Sequence, residues 1–145
     1  MIQRKQSIYL LIAVLISAGL TAFCSIWTKS EANTPVYIIN LFSGASFLEK
    51  ITPVLFFLSA LLSAVTLFLF KNRELQFVLG RVNILINFFL LGILIYLSQT
   101  LSGETLVSEK GIGMFFPILV ILLLVLANKA IKKDEDLVKS VDRLR

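Results

Sequence analysis

Histidine is absent from this 145-residue chain, cysteine occurs once and proline three times. The missing imidazole removes the commonest general base, the commonest metal ligand and the usual haem ligand. A Ser-His-Asp triad cannot be assembled from these residues alone. A single cysteine, Cys24, excludes an intrachain disulfide and a CxxC redox pair. Carboxylates are scarce as well, nine in all, and none lies within the four long apolar runs at 8–27, 51–70, 75–97 and 111–127. Internal repeats and glycine-rich phosphate loops are lacking. No catalytic, cofactor-binding or metal-binding residue is assigned on this basis, and the expected protein is not an enzyme.

What is present is mostly apolar, at 57% of residues. A soluble helix needs a polar face, whereas these runs are apolar all round, so lipid is their natural solvent. Four spans of about 20 residues each leave only short connections and one tail. The expected fold is all-α: an integral membrane four-helix bundle in a single domain. Its spans are placed at about 8–27, 51–70, 75–97 and 111–131, with a helical tail at 132–145. The fourth run reaches spanning length by continuing through Asn128 and Lys129 toward Ile131.

The net charge of +5 is distributed to fix a threading. Eleven of the 14 Lys and Arg fall before the first span, in or just after the 71–74 turn, and after the fourth span. Only Lys29, Lys50 and Lys110 lie opposite. The positive-inside rule then puts both termini in the cytoplasm. No extended basic surface remains for nucleic acid, and the span-end cations meet lipid headgroups instead. A cleaved signal peptide is the rival reading of residues 1–27. The apolar stretch exceeds the usual ~7–15 residues of such a signal, and Phe23 is too bulky to precede a lipidated Cys24. The uncleaved span is preferred.

Polar residues inside the spans are few and patterned. Ala13, Ser17 and Thr21 recur every four residues on one face of the first span, which permits close helix approach. Ser59, Ser63 and Thr66 form a similar stripe on the second, and the two stripes are expected to pair. Trp27 is placed as an interfacial anchor. Pro53 and Pro117 are placed near helix starts, where a missing N–H is tolerated. The third span is the most polar, with Arg81, Asn83 and Asn87. Arg81 lies six residues in, about 9 Å, within snorkelling reach of headgroups. The asparagines either bond neighbouring helices or, with Arg81, form a polar cleft for a headgroup or partner. Residues 36–42 read as a short strand or an interfacial stretch. In the tail, Leu137, Val138, Val141 and Leu144 make one apolar edge at helical spacing.

The two ends carry a further signal. The start, Met1-Ile2-Gln3-Arg4-Lys5-Gln6-Ser7-Ile8-Tyr9-Leu10-Leu11, has the form MIQR-x-Q-x-x-YLL, and residues 134–145 have the form DE-x-LV-[KR]-S-x-DRLR. Both resemble the ends of a family of small four-span inner-membrane proteins of diderm bacteria, catalogued as a domain of unknown function. The middle resembles that family in span layout alone. The resemblance implies a bacterial inner-membrane location but no activity. It draws attention to Arg4, which either caps the bundle against the acidic tail or joins it in a docking surface.

The expected function is contact: an accessory, scaffold or assembly subunit of a membrane complex, with membrane lipid and a protein as partners. The alternative is a small oligomeric transporter or channel. Against it stands the absence of Asp, Glu or His within the spans to carry protons or cations.

Overall fold

A computed structural model of the chain describes residues 5–29, 34–44, 46–101 and 111–142. The first apolar run does not form one helix to its end. Helix α1 (Lys5–Val14) passes into a π-helical stretch (Leu15–Leu20) and a last turn, α2 (Thr21–Phe23), before the backbone extends. Inside the π stretch the Ser17 hydroxyl donates to the Ala13 carbonyl at 2.7 Å, competing for a helical acceptor. Strand β1 (Ser25–Lys29) then pairs antiparallel with β2 (Thr34–Tyr37).

The register of that pair slips by one residue between Ser25 and Trp27. Such a bulge adds a residue to one strand, so the consecutive Ile26 and Trp27 are both buried. Trp27 is therefore not the interfacial anchor expected at the end of a span. It is 6% exposed and packs in a cluster with Ile26, Phe56, Leu90, Leu94 and Met114. Of the two readings for residues 36–42, the strand is realised up to Tyr37, and a 3-10 helix (Ile38–Ser43) follows.

Helix α3 (Phe47–Phe68) starts earlier than its apolar run. The Ser46 N–H donates to the Glu49 carboxylate at 3.2 Å, which satisfies one unpaired donor at the helix start. Pro53 consequently falls in the second turn and not the first, and the Glu49 carbonyl loses its usual partner there. A tight turn leads to α4 (Arg73–Leu101). Helix α5 (Phe116–Asp142) follows a 3-10 turn (Ile112–Phe115) and runs unbroken through the tail, as expected for residues 128–142. Its approach is held by the Gly111 N–H, which donates to the Ile26 carbonyl at 2.8 Å. A Cβ on Gly111 would overlap the Ser25 carbonyl, so only glycine fits that contact.

The four main helices close a ring: α1 touches α3 and α5, and α4 touches the same two. Helices α3, α4 and α5 are long and apolar enough to cross a membrane, and the N-terminal helix is shorter. The distribution of polarity is inverted. Gln76, Asn83, Asn87, Ser59, Ser63 and Thr52 are fully buried, while Phe57, Phe68 and Phe89 are each at least 70% exposed. In water that arrangement would desolvate polar groups and expose a continuous apolar surface. In lipid both costs disappear.

Candidate functional site

The most polar region of the interior is the seam between α3 and α4. The turn joining these helices folds residues equidistant from it against each other, so Thr66 meets Gln76 and Ser59 meets Asn87. The Gln76 amide donates to the Thr66 carbonyl at 3.1 Å. The Asn83 amide donates to the Ser63 hydroxyl at 2.7 Å and to the Ser59 carbonyl at 3.1 Å. The Asn87 amide donates to the Ser59 hydroxyl at 2.7 Å and to the carbonyl of Asn83 at 2.9 Å. These bonds turn the Ser59 and Ser63 hydroxyls to α4, while α1 and the π stretch also pack against α3. Ala13 packs in a cluster with Leu10 of its own helix and with Val120, Leu124 and Ala127 of α5. The side chain of Thr21 lies outside the described residues.

The seam between α4 and α5 has a close approach of its own. Gly80 lies directly beneath the Asn128 side chain, and a Cβ there would overlap the amide. Nearer the end of the bundle, the Arg73 guanidinium donates to the Asp134 carbonyl at 3.2 Å, tying the tail to the start of α4. Three buried amide atoms have no hydrogen-bond partner among the described residues: Gln6 Nε2, Gln76 Oε1 and Asn87 Oδ1.

Arg81 does not join the asparagines. Two residues along a helix turn the side chain about 200°, so Asn83 and Asn87 are fully buried while Arg81 is exposed. A single polar cleft of the three is not formed. The Arg81 guanidinium lies over the Phe77 ring, 4.2 Å from its centroid, and so leans toward the 71–74 turn as expected for snorkelling.

In the tail, Leu137 and Val138 are 57% and 46% exposed. Beside them the Lys139 ammonium bonds the Glu135 carboxylate at 2.6 Å. Arg4, Leu144 and the side chain of Val141 lie outside the described residues, so the apolar edge is seen in half. Among the described residues, no three of Cys, Asp and Glu converge as a metal site would require.

Sequence reading missed Gln76 and the Gly80–Asn128 contact. The signal was present: Gln76, Gly80, Asn83 and Asn87 recur at i, i+4, i+7 and i+11, one helical face. Comparison with known proteins adds one identification. The model of a family described as "Domain of unknown function (DUF4293)" matches residues 2–144, and the chain belongs to that family. No curated protein and no solved structure matches it.

Proposed function

We propose that this family member is a non-enzymatic integral membrane protein that works by contact, as an accessory, scaffold or assembly subunit of a bacterial inner-membrane complex. The observation that carries the reading is how polar groups are used. The buried amides and hydroxyls of α3 and α4 bond one another across the seam, which assembles helices and leaves few groups for chemistry. The exposed apolar residues Leu137 and Val138 stand on a helix that extends past the apolar part of α5. A pair of that size favours docking and is too small to fold anything alone.

The same reading includes a fourth crossing. The helical backbone from Lys5 to Phe23 is at most about 28 Å long, since the π-helical Leu15–Leu20 rises less per residue than the ~1.5 Å of an α-helix. That approaches the ~30 Å hydrocarbon thickness. With four crossings, both termini and the 71–74 turn share the cytoplasmic side, as the basic residues favour.

Affinity purification of the full chain from native membranes in mild detergent tests the contact function. The expected result is a stoichiometric protein partner that is lost when residues 134–145 are deleted, with the truncated protein still inserted. Recovery of the same partner at full yield by the truncated protein contradicts the docking role of the tail. Solute flux by the purified protein in vesicles supports the transporter reading instead.

A further inference from the structure

One face of α4 joins a cation to an apolar groove. Arg81, Leu85, Phe88, Gly92 and Tyr96 recur at intervals of four, three, four and four, which keeps them on one stripe. Leu85, Phe88, Gly92 and Tyr96 line a groove of about 390 Å³, closed on one side by Leu48 of α3. Gly92 opens it: a Cβ there would meet nothing within 4 Å. The lining is apolar apart from the tyrosine hydroxyl.

Further cations gather at the Arg81 end of that stripe. Gly80 and Asn128 mark the line where α4 and α5 touch. These helices run antiparallel, so the residue after each contact residue turns to the same side of the pair. Arg81 and Lys129 therefore flank one side of the seam at one level, and Lys132 and Lys133 follow on that side one turn out. All four are exposed, and none is in an ion pair among the described residues. The carboxylates on that side, Glu74 and Asp136, lie seven residues outward of Arg81 and Lys129 respectively, about two turns. Around the cations the surface remains apolar, with Leu75, Val78 and Val82 exposed.

We propose that this face binds one anionic phospholipid, with its phosphate held by Arg81 and Lys129 and an acyl chain lying in the groove as far as Gly92. Basic residues between membrane helices recognise such headgroups by charge. The dimensions agree. Gly92 lies about 16 Å along the helix from Arg81, and one leaflet occupies about half of the ~30 Å hydrocarbon core. A soluble anion would leave the apolar groove and rim unused, whereas a lipid covers both. The proposal rests on the membrane reading given above.

Native mass spectrometry and thermal shift of the full chain in detergent test it, with phosphatidylglycerol and phosphatidylcholine of identical chains as probes. The expected result is preferential retention of phosphatidylglycerol by the unaltered protein. Arg81→Gln and Lys129→Gln should each lower that preference about fivefold, the effect of one interfacial cation. Arg81→Lys should preserve it, and Gly92→Leu should weaken retention of both lipids. Circular dichroism identifies any variant that fails to fold, and Arg81→Gln and Lys129→Gln test the same site independently. Equal retention of the two lipids by the unaltered protein overturns the proposal, as does an unchanged preference in both charge variants. Stabilisation by glycerol phosphate equal to that by the lipid overturns the lipid as occupant, and self-association through the groove blocked by Gly92→Leu assigns the face to a second copy. Release from membranes by alkaline carbonate, measured separately, would show that the membrane reading itself had failed.

Discussion

Gly80 is a residue where one added methyl group must displace a neighbouring side chain. Its hydrogen is all that separates the α4 backbone from the Asn128 side chain, and no rotamer of a larger residue avoids that amide. Overpacking of a closed contact costs about 1–3 kcal/mol. Gly80→Val should therefore lower the unfolding temperature in detergent, and a second change, Asn128→Ala, should restore most of the loss. An equal loss with and without Asn128→Ala would place the damage elsewhere. The sequence made this contact half legible. Glycine on a face shared with Gln76, Asn83 and Asn87 signals close approach, but nothing along the chain tells which helix comes near. The lean of Arg81 toward the 71–74 turn was one of two readings the sequence left open, because a long side chain six residues into an apolar span has an inexpensive direction to go.

Helices α3 and α4 form a hairpin whose polar stripes meet because a short turn joins them. The stripe Ser59, Ser63 and Thr66 was evident from spacing, but its hydrogen bonds to α4 were not. Small residues at four-residue spacing fit any neighbour, whereas amide donors on α4 need acceptors and find them in the Ser59 and Ser63 hydroxyls and the Ser59 and Thr66 carbonyls. A double-mutant cycle between Ser59→Ala and Asn87→Ala measures that pairing. The expected coupling is about 0.6 kcal/mol, the average for interhelical hydrogen bonds in lipid. A coupling of zero would mean that the amide finds an equivalent partner once the hydroxyl is gone. The end of the first run was less legible. Hydropathy continues through Trp27, but the helix stops at Phe23, and Ile26 and Trp27 fill a core built by distant residues on α3 and α4. Tertiary packing decided that boundary, and no local pattern carries it.

For the molecule as a whole, the all-α fold, the long apolar helices and the helical tail followed from hydropathy and periodicity. The hairpin of β1 and β2 and the order of helices around the ring depend on which faces meet. Polar residues inside and aromatic residues outside suit this bundle to lipid as its solvent. Four crossings and three crossings then differ in a simple way: an even number puts both termini on one side, and an odd number separates them. Single cysteines at Gln3, Asn40, Asn72 and Ser140, on a Cys24→Ser background, distinguish the two in spheroplasts treated with a membrane-impermeant thiol reagent. Asn40, in the 3-10 segment after β2, should be labelled, and Gln3, Asn72 and Ser140 should react only after lysis. Labelling of Gln3 from outside with Ser140 shielded would mean three crossings, and labelling of all four positions in intact spheroplasts would contradict a membrane-embedded bundle.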